Sequence, residues 1–247
     1  MGAKKLLSVI VPAYKQEGSI KEDLENIDDV LSTGLRGDYD YEILCVVDGS
    51  PDETSAEARK VKRKNVKVLD YKRNRGKGYA VRYGMNRAKG ELISFLDAGR
   101  EISPDGIMML MAHQQWYQAD IIVGSKRHPA SHVDYPLTRK VLSTGYHFGV
   151  RLLFGIPVRD TQSGIKIFRR PVIRKVLPKC GIERYAMDIE ILALAKHFGY
   201  GRIYEAPIEI KYGFGDLTHA SNMKVIAQML RDTLGLFYSL KIKRVHG

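Results

Sequence analysis

Short apolar runs alternate with amphipathic stretches over the first 125 residues of the chain. Nearly continuous apolar runs of this length are typical of strands buried on both faces of a parallel sheet. The runs are residues 6–12, 41–47, 65–71, 91–97 and 119–125. The stretches 19–34, 51–64 and 78–90 between them predict helices. The alternation predicts an α/β fold with a doubly wound, mostly parallel sheet and helices on both faces.

After residue 125 the pattern changes, because a polar loop containing proline replaces the regular alternation. The spacing of apolar residues then predicts helices over about 138–154 and 183–198 and a strand within 201–210. An amphipathic helix is predicted over 223–240. Repeats, low-complexity segments and linker-like stretches are absent from the sequence. We therefore expect one domain over 1–247, with two halves that meet near residue 125.

Composition describes an ordinary soluble protein, with 44% hydrophobic and 28% charged residues. The 40 basic and 28 acidic residues give a net charge of +12, which favours nucleic acid, nucleotide phosphates or an anionic membrane as partner.

Cys45 and Cys180 lack a C-x-x-C spacing, so a reduced, cytoplasmic compartment is expected. The apolar run near the N-terminus breaks at Pro12 without a cleavage-site pattern, and no stretch approaches the roughly 20 apolar residues of a membrane span. These features predict a soluble or peripheral protein.

Polar residues gather where the predicted strands end. Pro12, Ala13 and Tyr14 close the first strand, Asp48 follows the second and Asp97 ends the fourth. Ligands of open α/β sheets bind outside the carboxyl ends of the strands, so these ends mark a candidate site. Turn formation alone also accounts for the Asp-Gly-Ser-Pro sequence at 48–51.

Residues 59–90 are strongly basic, and Asp70 is the only acid among them. A solvated, charged helix face is one interpretation. A second is that the glycines around Lys77 let it and Arg75 approach a diphosphate. A third is a dinucleotide fingerprint beginning at Gly76, which is disfavoured because Val81 occupies the place of its third glycine.

Nucleic-acid binding would require aromatic residues interleaved with this basic segment. Only Tyr71, Tyr79 and Tyr83 are available there, so the sequence argues against a nucleic-acid partner.

Five ordered segments carry a family resemblance: "SVIVPAY", "EILCVVDGSPDET", "NRGKGYAVRYGMNRAKGELISFLDA", "DTQSGIKIFRR" and "IYEAPIEI". Together they resemble the family-2 glycosyltransferases, and most of all the branch of dolichol-phosphate mannose synthases and other polyprenyl-phosphate glycosyltransferases. The resemblance implies an A-type glycosyltransferase fold. It implies a nucleotide-sugar-binding half, about 1–125, and an acceptor-binding half, about 126–247, that ends in the amphipathic helix. It also implies inverting transfer of a hexose from a nucleotide diphosphate sugar.

The same resemblance implies roles for individual residues. Asp97 and Arg139 would be catalytic, and Arg127, Arg139 and Ser163 would contact the acceptor. The residues implied in nucleotide-sugar binding are Pro12, Ala13, Tyr14, Glu17, Asp48, Lys77, Asp97 and Ala98.

A magnesium or manganese ion is the implied cofactor, with Asp97 as the first acid of the family's D-x-D motif. Gly99 replaces the second acid, and Glu101 stands where related enzymes place a further metal ligand, so Glu101 could restore the lost charge. Glu101 could instead be a helix-start residue, where acids are favoured. Other departures from the family pattern are Lys15 and Gln16, Val47, and a loop after residue 210 whose only basic candidates are Lys211 and His219.

The expected reaction moves the hexose to a polyprenyl phosphate, which needs no general base because its second pKa is near about 6. A saccharide hydroxyl as acceptor is the alternative, with Asp188 or Glu190 as base. An inactive nucleotide-sugar-binding relative is a third possibility.

The lipid acceptor implies peripheral attachment, on the inner face of the cell membrane, by the C-terminal stretch. Basic residues follow its apolar side at Lys241, Lys243 and Arg244. The residues of that apolar side are Met223, Ile226, Leu230, Leu234, Phe237 and Leu240.

Overall fold

The computed structural model describes residues 4–35, 37, 39–99, 101–131, 145–146, 149–210 and 223–242. Arg139, Lys211, His219, Lys243 and Arg244 lie outside these residues, as do the side chains of Met223 and Ile226. Seven strands form one sheet. They are β1 (Lys5–Ala13), β2 (Tyr39–Asp48), β3 (Val66–Tyr71), β4 (Leu92–Leu96), β5 (Ile121–Ser125), β6 (Ile165–Arg169) and β7 (Ile203–Pro207).

Seven labelled helices surround this sheet in the described part of the chain, and shorter helical segments accompany them. They are α1 (Ile20–Gly34), α2 (Thr54–Arg59), α3 (Lys77–Met85), α4 (Asp105–Tyr117), α5 (Arg170–Val176), α6 (Met187–His197) and α7 (Met223–Phe237). Residues 149–154 are also helical, which agrees with the end of the helix predicted over about 138–154.

The strand order is β3-β2-β1-β4-β6-β5-β7. All neighbouring strands are parallel except β6, which runs antiparallel to β4 on one side and to β5 on the other. This topology confirms the predicted doubly wound, mostly parallel sheet. Both predicted halves contribute strands to it.

The core lies on both faces of the sheet, which explains why the strands read as continuous apolar runs. Residues of β1 alternate between the two layers: Val9 and Val11 pack with α1 and α4, whereas Ile10 packs with α3, α5 and α6. The apolar stripe of α1 that the spacing predicted is buried in the first of these layers.

The sequence interpretation assigned no strand to β6 and no helix to α4 or α5. In β6 the apolar run is interrupted by Lys166, a residue type that is rarely buried. Lys166 is nevertheless fully buried, because it has a carboxylate partner far away in sequence. A local pattern cannot show such a partner.

Candidate active site

The strand order reverses at β1, because β2 and β3 lie on one side of it and β4 lies on the other. This is the switch point at which open α/β sheets form a ligand crevice. Pro12 and Ala13 are buried at the end of β1, Tyr14 just beyond it is exposed, and Asp97 follows β4 across the crevice. The structure therefore brings together the ends of β1 and β4, two of the three strand ends that the sequence marked.

Hydrogen bonds join the loop after β1 to the loop after β2. Lys15 has a left-handed backbone with φ 56°, and its amide donates to Ser50 Oγ at 2.8 Å. The Gln16 amide donates to Thr54 Oγ1 at 2.8 Å, and Glu17 accepts a bond from the Glu53 amide at 3.0 Å. Glu17, which was predicted to contact the nucleotide sugar, thus holds the two loops together in this structure.

Asp48 is buried, and both of its carboxylate oxygens accept hydrogen bonds. Oδ1 accepts from the Tyr71 hydroxyl and the Arg75 amide, each at 2.8 Å. Oδ2 accepts from Asn74 Nδ2 at 2.9 Å and from the Gly76 amide at 2.8 Å. Burial, and then the neighbouring Asp48, raise the pKa of Tyr71, so this hydroxyl remains a donor. Asp48, predicted to contact the nucleotide sugar, fixes the shape of the loop 72–76 in this structure.

Gly76 and Gly78 allow the segment before α6 to pack on this loop. A Cβ at Gly76, whose φ is +103°, would lie 2.7 Å from the Glu183 carbonyl oxygen, and one at Gly78 would lie 2.8 Å from the Ile182 carbonyl oxygen. Arg75 pairs with Glu183 and stacks on the Tyr79 ring with its guanidinium 3.6 Å from the centroid. The glycines are therefore explained by close packing rather than by flexibility, and Arg75 is directed to Glu183.

Lys77, the first residue of α3, reaches the end of β4. Its Nζ lies 2.7 Å from Asp97 Oδ2 and 3.8 Å from Asp188 Oδ2. Burial lowers the pKa of Lys77, but the carboxylates of Asp97 and Asp188 outweigh it, so the net pKa is raised. Lys77 therefore presents a permanent positive charge at the crevice.

Asp97 has one oxygen in use and one unpaired. Its Oδ1 is buried and has no hydrogen-bond partner among the described residues. Burial raises the pKa of Asp97 against the pull of Lys77. A buried acceptor without a donor is costly, and such an oxygen is suited to a ligand or a cation that supplies the missing partner.

A cavity of about 260 Å³ adjoins Asp97 on the side of α1. Its walls include Asp23, Ala98 and Ser103. Ala98, predicted to contact the nucleotide sugar, is thus at an open surface beside Asp97.

Asp23 is a site residue that the sequence interpretation missed. It is buried on α1, and its Oδ2 accepts from the Gly99 amide at 2.9 Å. Gly99 has φ +104°, a conformation that glycine adopts readily and aspartate adopts with strain. The backbone at this position therefore suits glycine better than it suits the acid of the family motif. The available signal was an acid on the apolar stripe of α1, one position before Leu24.

The residues predicted as metal ligands fit a cation only in part. Asp97 Oδ1 is an unpaired buried carboxylate oxygen, and magnesium in phosphate sites characteristically takes one or two carboxylates and completes its shell with phosphates and water. Glu101 is exposed, and its Oε1 pairs with Lys126 Nζ at 3.1 Å. Among the described residues, no three acidic, histidine or cysteine side chains cluster as a metal site. Asp97 thus fits the cation. To coordinate the same cation, Glu101 would have to give up its ion pair with Lys126.

Ser163 lies beside these groups, between the crevice and β6. It is fully buried, and its hydroxyl has no partner among the described residues. Arg127 is half-buried just after β5, with its amide bonded to Ser125 Oγ at 3.2 Å. The predicted acceptor contact Arg139 cannot be placed, since it is outside the described residues.

The two candidate bases both have other partners. Asp188 Oδ1 lies 2.6 Å from Lys166 Nζ, while its Oδ2 faces Lys77. Glu190 accepts from the amides of Gly181 at 2.8 Å and Ile182 at 3.0 Å, and burial raises its pKa against these bonds. Both carboxylates are thus already engaged, Asp188 by lysine side chains and Glu190 by backbone amides.

The family model described as glycosyl transferase family 2 matches residues 8–177. A dolichyl-phosphate beta-glucosyltransferase from Drosophila melanogaster is 37% identical, covering 77% of this chain and 63% of that protein. The human protein of the same name is 35% identical, over 78% of this chain and 64% of that protein. The chain thus spans less than two thirds of the length of these relatives.

Two solved structures share the fold at low sequence identity. Mannosyl-3-phosphoglycerate synthase from Rubrobacter xylanophilus gives a TM-score of 0.72 at 14% identity and covers 96% of this chain and 75% of that one. Glucosyl-3-phosphoglycerate synthase from Mycobacterium tuberculosis, in complex with Mn²⁺, UDP and phosphoglyceric acid, gives 0.68 at 17%, with coverage of 95% and 78%. The predicted A-type glycosyltransferase fold is therefore confirmed. The match over 8–177, which includes four of the five segments that resembled the family in the sequence, shows that the chain belongs to glycosyltransferase family 2.

Proposed function

We propose that this protein transfers glucose, with inversion, from a nucleoside diphosphate glucose to a polyprenyl phosphate. The relatives that are 35–37% identical are named for β-glucosyl transfer to dolichyl phosphate, which supports both the sugar and the acceptor class. A uridine nucleotide is part of the proposal, and the solved neighbour crystallised with UDP shares the fold.

The observation that carries the choice of acceptor is the pairing of Asp188 with Lys166 and Lys77. A hydroxyl nucleophile must lose a proton to a well-placed base. A phosphate monoester is mostly a dianion at neutral pH and needs no base, only positioning. Since Asp188 and Glu190 are both occupied, the site suits the phosphate and not the saccharide hydroxyl.

In the proposed reaction, a phosphate oxygen of the acceptor forms a bond to the anomeric carbon of glucose. The bond between that carbon and the donor diphosphate breaks, and the diphosphate leaves with the electron pair. Lys77 is placed to meet the negative charge that develops on it. Asp97 would hold a magnesium or manganese ion, which supplies further positive charge to the diphosphate when bound. Arg127 and Ser163 are the described residues proposed on the acceptor side.

A transfer assay tests the proposal directly. The purified chain is incubated with radiolabelled UDP-glucose or GDP-mannose and with polyprenyl phosphate or a saccharide in detergent. We expect label in the lipid fraction with UDP-glucose and polyprenyl phosphate only. Label on the saccharide would instead support the hydroxyl acceptor, and nucleotide binding without transfer would indicate an inactive relative.

Peripheral attachment to the membrane that holds the acceptor is part of the proposal. Within the described residues, no helix combines the length and the apolar character needed to cross a bilayer. The residues of the predicted apolar side of the C-terminal helix form two groups, one buried and one exposed. Leu240 is buried and Phe237 packs against Phe154 at 6.2 Å between ring centroids, whereas Leu230 and Leu234 are 46% and 59% exposed.

The exposed residues continue along one line. Tyr238 and Ile242 follow Leu234 at four-residue steps and are 47% and 61% exposed. Arg231 on α7 and Lys241 in the helical segment Tyr238–Ile242 that follows it are also exposed. An apolar line next to cations is suited to an anionic lipid surface, so we assign the proposed contact to this line and remove Phe237 and Leu240 from it.

A further inference from the structure

Lys166 is fully buried on β6, in the middle of the sheet. Its Nζ donates to Asp188 Oδ1 at 2.6 Å and to the Ser163 carbonyl oxygen at 2.7 Å. Burying an ammonium group costs several kcal/mol, and a single well-made ion pair returns only part of that cost. A buried pair of this kind is weak evidence for a role in stability, since apolar residues of similar volume often serve as well.

Asp188 connects this buried lysine to the crevice. Its other oxygen faces Lys77 at 3.8 Å, and Lys77 in turn contacts Asp97 at 2.7 Å. The four residues Lys166, Asp188, Lys77 and Asp97 form a charge ladder in which cations and carboxylates alternate and their formal charges cancel. The ladder runs from the centre of the sheet to the proposed diphosphate position.

Phe95 forms an apolar side of this ladder. Its ring centroid lies 5.2 Å from Lys166 Nζ and 5.4 Å from Lys77 Nζ. The ring occupies space into which the long stem of Lys77 could otherwise fold. Lys77 is therefore bounded by a carboxylate on either side and by an aromatic ring.

We propose that Asp188 and Lys166 are positioning residues, which hold the ammonium group of Lys77 toward the diphosphate of the donor. This inference rests on the proposed function and assigns to Asp188 a role other than that of a base. The lysine side chain is long and flexible. Asp97 alone would hold Lys77 only while the Asp97 carboxylate was not bound to another group. Asp188 supplies a second anchor that is independent of Asp97. Lys166 balances Asp188, so that Asp188 does not draw Lys77 away from the crevice.

The charge ladder predicts a difference between diphosphate and monophosphate ligands that a general structural role would not produce. Lys77 would act on a diphosphate and would matter less for a nucleoside monophosphate. Loss of the Lys166–Asp188 pair should therefore weaken the binding of UDP and leave that of UMP almost unchanged. A loss of packing would weaken both equally.

The experiment measures UDP, GDP and UMP binding by calorimetry to the wild-type chain and to the double variant Lys166→Met/Asp188→Leu. Asp120→Asn is the matched control, because Asp120 is a buried carboxylate paired with Arg169 and Arg202 just before β5, at the opposite end of the strands from the crevice. Thermal unfolding is recorded for each protein. If the double variant does not fold, Asp188→Asn replaces it, since it removes the charge and keeps the shape.

We expect the affinity for UDP to fall by about ten-fold in the double variant, which corresponds to about 1.4 kcal/mol, with UMP affinity and the control unchanged. In the transfer assay, the factor by which kcat decreases should be larger than the factor by which KM for the acceptor increases. Unchanged UDP affinity, or equal losses for UDP and UMP, would overturn the inference. Wild-type protein that binds neither UDP nor GDP would overturn the proposed function itself, which is a different result.

Discussion

Gly164 and Asp97 are in such close contact that no side chain fits between them. A Cβ at 164 would lie 2.3 Å from Asp97 Oδ2, and the Asp97 amide donates to the Gly164 carbonyl oxygen at 2.9 Å. Gly164, which follows the predicted acceptor contact Ser163, is therefore the residue that supports the Asp97 carboxylate.

We expect Gly164→Ala to displace the Asp97 carboxylate and break its pair with Lys77. Transfer activity should fall by at least about ten-fold in kcat/KM, because misplacement of a catalytic group by a fraction of an ångström is costly. Gly201→Ala is the control, since a Cβ there meets nothing within 4 Å. Equal kcat/KM values for the two variants would contradict the prediction.

We expect Asp48→Asn to loosen the loop 72–76, because an amide replaces one of two oxygens that together accept four bonds. Hydrogen exchange at the amides of Arg75 and Gly76 should accelerate, and affinity for UDP should fall by about ten-fold, or about 1.4 kcal/mol. Tyr71→Phe removes only one of the donors and should have a smaller effect on both. Exchange rates that match the wild type would show that Asp48 does not hold the loop.

The five strands and the first three helices of the first half, and the positions of Asp48 and Asp97 at strand ends, could be predicted because periodicity and turn residues are local signals. The sequence could not predict the roles of Asp23, Lys166 and Asp188. Each acts through a partner more than twenty residues away, as in the Asp23–Gly99 and Lys166–Asp188 contacts. Lys166 resembled one more surface cation among many in the second half.

We expect Gly99→Asp to destabilise the fold, although it restores the acid of the family motif. The φ of +104° is strained for any residue with a Cβ, at a cost on the order of 1–2 kcal/mol. Denaturant unfolding should show a lower free energy of unfolding than for Gly201→Ala. An unchanged free energy of unfolding would indicate that the loop can take another conformation.

We expect Asp97→Asn to abolish the binding of Mn²⁺ to the UDP complex, as followed by electron paramagnetic resonance. Glu101→Gln should weaken it less than Glu101→Ala, because an amide oxygen can still coordinate. Lys126→Met serves as a comparison, since it frees Glu101 from its ion pair and should strengthen Mn²⁺ binding. Transfer that persists in Glu101→Ala after exhaustive chelation would show that the reaction does not use the cation.

We expect the double variant Leu230→Ser/Leu234→Ser to lose most of its sedimentation with anionic liposomes and to keep its thermal stability. Both side chains are exposed, so their replacement removes apolar area from the membrane contact and not from the core. Trp116→Ser is the control, because Trp116 is 71% exposed on α4. Liposome binding that is lost equally in the control, or retained in the double variant, would place the contact elsewhere.

The antiparallel strand β6 also sets the order in which the protein can assemble during synthesis. The ribosome releases β5 before β6, yet β5 can join the sheet only through β6, which separates it from β4. A nascent chain that has emerged as far as residue 125 would thus have β4 as an open edge and β5 without its neighbour. Open edges invite pairing with other chains. Between the emergence of Ser125 and that of Arg169, the growing protein therefore has an open edge at β4 that the finished sheet covers with β6.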